Sequence, residues 1–112
     1  MRAGDIVTVD FGTPIGSEAG FRRPAVIITA DAFLHYRPTT VLAVPLTSRA
    51  RTFPSHIPVE VDERNALNNA SWILVEQLRA VAIERCGPVT GNVGSVVIHQ
   101  VLDVLAMITG IS

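Results

Sequence analysis

From Asp5 to Phe11 apolar and polar positions alternate, with Val7, Val9 and Phe11 on one side and Thr8 and Asp10 on the other. This two-residue period is that of a strand with one buried face. Gly12–Arg22 (GTPIGSEAGFR) then interrupts the period with three glycines and a proline, which predicts a mobile loop. Pro24–Thr29 (PAVIIT) is a continuous run rich in β-branched residues, the pattern of a strand buried on both faces, and Thr40–Thr47 (TVLAVPLT) reads as its neighbour. Pro45 cannot donate to a ladder, which puts that neighbour at an edge or a bulge. Ile57, Val59 and Val61 alternate with Pro58, Glu60 and Asp62 as in a strand solvated on one side. Ser71–Gln77 and Leu78–Arg85 read as one long bent strand or two consecutive ones, and Cys86–Gly94 as a turn. At Ser95 the period changes: Val97, Val101, Leu105 and Ile108 fall at i, i+4, i+8 and i+11, a terminal helix stopped by Gly110. Short strands followed by one helix predict a mainly β fold, a small SH3-like β-barrel with a C-terminal α-helix.

The chain has 112 residues, 48% of them hydrophobic, and residues 1–112 read as a single domain. Either half alone would bury too small a core, and neither disulfides nor metals are on offer to stabilise it. Cys86 is the one cysteine, and His35, His56 and His99 are too scattered to supply two ligands at workable spacing. No Gly-rich phosphate loop follows a strand and opens a helix, so neither a metal nor a cofactor is expected. Cys86 reads as a small hydrophobe near a strand end, and His56 and His99 as surface or edge residues. No apolar stretch approaches the ~18 residues of a membrane span. Asp5 stands where a signal peptide needs an apolar core, so a cytoplasmic protein with no membrane partner is expected.

A net charge of −1 argues against a surface shaped throughout for nucleic acid. The charge is local instead. Between Gly20 and Pro54, Arg22, Arg23, Arg37, Arg49 and Arg51 face Asp31 alone, a net +4 between two acidic stretches. Every basic residue is Arg, which fits either a GC-rich genome or bidentate recognition of phosphate. A loop with Ser17 and Glu18, the Arg22-Arg23-Pro24 step and a strand ending in Thr47-Ser48 supply what a phosphodiester clamp needs. The same residues also suit a solvated strand start, a strand-end hydroxyl and a loop charge. Phe53, near Arg49 and Arg51, is placed either to stack on a base or to pack in the core or a hairpin. Trp72 reads as a core or interface residue with Leu74.

Four blocks occur in order along the chain: Gly4-Asp5-Ile6-Val7 with Val9-Asp10-Phe11; Gly16-Ser17-Glu18 followed by Arg23-Pro24-Ala25-Val26-Ile27-Ile28; Val44-Pro45-Leu46-Thr47-Ser48; and Glu76-Gln77-Leu78-Arg79. In these blocks the sequence resembles the MazF/PemK type of toxin of bacterial type II toxin–antitoxin pairs. The resemblance implies an mRNA interferase, a toxin endoribonuclease that cuts single-stranded RNA by metal-independent attack of the 2′-hydroxyl. Its products would carry a 2′,3′-cyclic phosphate and a 5′-hydroxyl. Arg23, directly before Pro24, and Thr47 are the implied catalytic residues, with Glu18 a candidate base. Ser17, Arg22, Ser48, Arg49, Arg51 and Phe53 are the expected RNA contacts, and Arg22 is an addition to the family's pattern. The implied partners are RNA, a second copy of the chain, and an antitoxin bearing an acidic C-terminal segment. A non-catalytic toxin that binds a protein such as gyrase, or an SH3-like interaction module, would have no use for the Arg23–Thr47 pair.

Overall fold

The computed structural model describes residues 1–49 and 52–110. In chain order these form β1 (Asp5–Asp10), β2 (Arg22–Ile27), α1 (Asp31–Leu34), β3 (Thr40–Thr47), β4 (His56–Val59), β5 (Ser71–Leu74), β6 (Arg79–Ala82), β7 (Cys86–Asn92) and α2 (Ser95–Thr109). All strand pairs are antiparallel, in the order β4-β5-β3-β2-β1-β7, with β6 joined to β3 off that path. The mainly β fold with a C-terminal helix is as the sequence pattern requires. Its strand path is open, ending on β4 and β7, and each of these terminal strands carries a proline, Pro58 and Pro88.

Alternation along β1 sorts its side chains between two cores. Ile6 enters one; Val7, Val9 and Phe11 enter the other. The continuous run of β2 likewise divides, Val26 to the first core and Ala25 and Ile27 to the second, all three fully buried. Burial of each such Val or Ile is worth about 1.5–3 kcal/mol. α2 lays Val97, Ile98, Val101, Val104 and Leu105 on the first core. Ile108, expected on the same stripe, is exposed. The helix ends at Gly110, whose left-handed φ of 75° lets its N–H reach back to Ala106 and Met107 carbonyls.

Other parts of the chain depart from their sequence pattern for identifiable reasons. β3 is an interior strand, with β2 along one side and, along the other, β6 at Thr40–Ala43 and then β5 at Leu46–Thr47. Pro45 falls in the gap where that side changes partner, so its missing N–H breaks no ladder there. Cys86–Asn92, read as a turn, is a strand paired with β1, its register shifted twice. Gly87, Pro88 and Gly91 hide its alternation. A Cβ at Gly91 would lie 2.2 Å from the Asn65 carbonyl oxygen, so the close approach of that segment excludes a side chain. The Ser71–Arg85 region is two strands separated by a 3-10 turn at Val75–Gln77, and Val61 lies beyond β4, exposed. Among the described residues no helix is long and apolar enough to cross a membrane.

Candidate functional site

The β2–β3 ladder ends at the pair Ala25–Pro45, and its register carried two residues further sets Arg23 opposite Thr47. Both residues line one cleft of about 450 Å³, together with Pro24, Leu46, Ser48 and Arg49. Thr47 is 9% exposed at the end of β3. Its Oγ1 accepts the Arg49 N–H at 3.2 Å, so the hydroxyl keeps its own proton to donate. Arg23 is half-buried, and its Nε donates to the Gly20 carbonyl at 3.1 Å. A planar cation and a hydroxyl held on neighbouring strands can together stabilise the oxygens of a phosphate that gains negative charge.

The loop between β1 and β2 is closed at its neck by Phe11 N–H donating to Phe21 O at 2.9 Å and Phe21 N–H donating to Gly12 O at 2.6 Å. Within it, Glu18 Oε1 accepts the Ile15 N–H at 2.8 Å. Gln77 grips the loop from outside: its Oε1 accepts the Ala19 N–H and its Nε2 donates to Ser17 O at 3.1 Å. The glycines that suggested mobility serve a pinned loop. At Gly20 a Cβ would stand 2.4 Å from Pro14, so the loop folds back on itself more tightly than any side chain there allows.

Ser17 and Glu18 are exposed and line a second cleft, of about 620 Å³, with Phe11, Thr13, Pro45, Gln77 and Arg79. The structure thus gathers Arg23, Thr47, Ser48 and Arg49, and sets Ser17 and Glu18 in an adjacent cleft that begins at Pro45, one residue before Leu46 of the first. Phe53 is 60% exposed and is no core residue; its ring lies 5.6 Å from that of His56 in a third cleft shared with Trp72. Arg22 is exposed, opposite Asp10 in the β1–β2 register. Arg51 lies outside the described residues.

Some of the polar organisation escaped sequence reasoning. His56 is an edge residue, the first of the terminal strand β4, yet its side chain is only 5% exposed, with Nε2 on Glu76 Oε2 at 3.0 Å. The other carboxylate oxygen accepts the Ser55 hydroxyl at 2.7 Å. Burial alone would raise the Glu76 pKa; the hydrogen bonds from His56 and Ser55 outweigh it and hold the carboxyl below its ordinary value. Arg79 donates to Phe11 O at 3.2 Å and lies over the Phe11 ring at 5.5 Å, while Arg85 donates to Asp10 O at 3.2 Å. The only signal for any of these in the sequence is the Glu76-Gln77-Leu78-Arg79 block. Cys86 is half-buried, and burial pushes its thiol pKa up, which suits a packing residue. Among the described residues no three His, Cys, Asp or Glu side chains converge as a metal site would need.

Comparison with known proteins places the chain in a family. The profile of the PemK-like, MazF-like toxin of type II toxin–antitoxin systems matches residues 2–109. Over 83 residues the chain is 37% identical to endoribonuclease MazF of Staphylococcus saprophyticus, covering 72% of this chain and 68% of that one. In three dimensions it is similar to the crystal structure of MazF from Deinococcus radiodurans, with a TM-score of 0.82 at 23% identity over 98% of this chain and 96% of that one. It is also similar to a mycobacterial endoribonuclease solved in complex with its cognate antitoxin, with a TM-score of 0.78 at 18% identity over 100% of this chain and 97% of the other.

Proposed function

The chain belongs to the PemK-like, MazF-like toxins of type II toxin–antitoxin systems and is an endoribonuclease, and we propose that it cuts single-stranded RNA with Arg23 and Thr47 as its catalytic pair. The observation that supports this assignment is the meeting of those two side chains, from neighbouring strands, in one cleft. In the proposed reaction the 2′-oxygen of the substrate forms a bond to phosphorus while the bond from phosphorus to the 5′-oxygen breaks. One proton leaves the 2′-hydroxyl and one is delivered to the departing 5′-oxygen. Arg23 remains protonated throughout and acts on charge, anchoring the phosphorane. Thr47 donates to a non-bridging oxygen.

Glu18 is the proposed proton acceptor, a role that requires the RNA to lie across Pro45 and touch both clefts. Ser17, Arg22, Ser48, Arg49, Arg51 and Phe53 are proposed to hold the strand on either side. The whole chain works as one toxin domain, as a cytoplasmic homodimer. The antitoxin's acidic C-terminal segment lies along the locally basic Gly20–Pro54 stretch and displaces RNA by competition. Cutting a labelled oligoribonucleotide in EDTA tests the mechanism. Activity should persist, one fragment should carry a 2′,3′-cyclic phosphate or its opened 3′-phosphate, and the other a 5′-hydroxyl. Loss on chelation with rescue by a divalent ion, or cutting of an all-DNA strand, would refute it.

A further inference from the structure

The turn Val75–Gln77 is anchored more firmly than its length suggests. Val75 is fully buried in the first core, and its N–H donates to Ser55 O at 3.2 Å. The next side chain, Glu76, is held by His56, the first residue of β4, and by Ser55 just before it. Gln77 therefore projects from a fixed base. Its two ends meet the backbone of the Gly12–Phe21 loop on both sides of Glu18: Oε1 accepts from Ala19 and Nε2 donates to Ser17. A carboxamide supplies acceptor and donor at one place, whereas a carboxylate would turn an oxygen toward the Ser17 carbonyl.

The loop segment that Gln77 holds leads into the one that holds Arg23. The Ala19 N–H goes to Gln77, and the carbonyl of the next residue, Gly20, two peptide units on, takes the Nε of Arg23; the same Gly20–Phe21 peptide gives its N–H to Gly12 O. We propose that Gln77 is a positioning residue for Arg23, acting through the Ala19–Gly20 segment, and that the Val75–Gln77 turn, together with the neck bond from Phe21 to Gly12, sets where the guanidinium lies in the cleft. The proposal rests on the assignment of Arg23 as catalytic. It accounts for a Gln whose partners are 58 and 60 residues away in the chain, both on one loop. Displacing a charged group by about 1 Å from its working position lowers a rate by about 10²-fold.

The experiment uses the full chain and two readouts. In RNA-free protein, NMR follows exchange of the Ala19 amide and of the Arg23 Nε–H in wild type, Gln77→Ala and Gln77→Glu. Single-turnover RNA cleavage gives the maximal rate and the half-saturating RNA concentration. Gln77→Ala should speed exchange at both sites by roughly tenfold or more while the Val26 and Val44 amides stay protected. Its maximal rate should fall roughly 10- to 100-fold with the half-saturating concentration within about threefold. Gln77→Glu, which keeps the acceptor and loses the donor, should fall between. Unchanged exchange at Arg23 Nε–H in a folded Gln77→Ala protein overturns the proposal, as does faster exchange with an unaltered rate. So does a rise in half-saturating RNA alone, which marks a direct substrate contact. An inert wild type would sink the catalytic assignment, and the Arg23 Nε–H signal would still decide whether Gln77 holds that side chain.

Discussion

Replacing Thr47 with Val separates what its hydroxyl does for the fold from what it does for the reaction. Valine keeps the β-branched shape and the strand preference of β3, so packing is nearly preserved. In the folded protein the hydroxyl accepts one hydrogen bond, from the Arg49 N–H at 3.2 Å. Losing such a neutral bond costs about 1 kcal/mol, and less where water can replace it, as at exposed Arg49. Against a domain stability of about 5–15 kcal/mol the protein stays folded. In the proposed reaction the same hydroxyl is a preorganised donor to developing charge, worth roughly 2.7–4 kcal/mol, or 10²- to 10³-fold in rate. The two effects differ enough to be read independently. Urea unfolding should show a small shift in midpoint, and single-turnover cleavage a loss of two to three orders of magnitude. Thr47→Ser, which restores the hydroxyl, should recover most of the rate. If the folded Val protein cuts within about threefold of wild type, Thr47 is not part of the chemistry.

Other perturbations give outcomes of different kinds. Arg22→Ala removes an exposed charge at the start of β2, so stability should move by no more than about 0.5 kcal/mol. RNA affinity should fall, and the slope of log K against log salt should shrink by about 0.7 if one phosphate contact is lost; an unchanged slope removes Arg22 from the RNA path. Gly20→Ala brings a Cβ to 2.4 Å from Pro14, and the forced shift should destabilise by about 1–3 kcal/mol in urea unfolding while loosening the loop that holds Arg23. The depressed pKa of Glu76 sets a pH dependence. Its ionised form stabilises the fold above the unfolded carboxylate range, and that contribution disappears as pH falls through the folded pKa. Glu76→Gln should therefore flatten the loss of stability on acidification below about pH 4.5; equal slopes for the two proteins would show that the Ser55 and His56 contacts do not favour the charged carboxyl.

Much of the fold was legible because it is local. Val7, Val9 and Phe11 lie two apart, and the unbroken run of β2 places residues in both cores, as its lack of polar interruption requires. The helix stripe was legible as far as Leu105. Ile108 departs because the core ends before the helix does. β7 was illegible since its glycines and proline answer to contacts made elsewhere, above all the Asn65 backbone against Gly91. The candidate site divides similarly. Arg23 and Thr47 could be named from their neighbours in sequence, but that one cleft takes both follows from strand register. The pairing of His56, at the start of its edge strand, with Glu76 was illegible because the two are 20 residues apart, and the loop was read as mobile because nothing near it in sequence announces Gln77.

The open strand path leaves β4 and β7 as its two terminal strands, and a sheet edge is a template on which another chain can add a strand. Pro58 near the middle of β4 and Pro88 in β7 each remove a donor from those rows, and the register shifts of β7 against β1 disturb the second row further. Edge-to-edge growth is therefore resisted at both ends. A mainly β protein needs that protection most at high local concentration, as when newly made copies meet before their proper partners do.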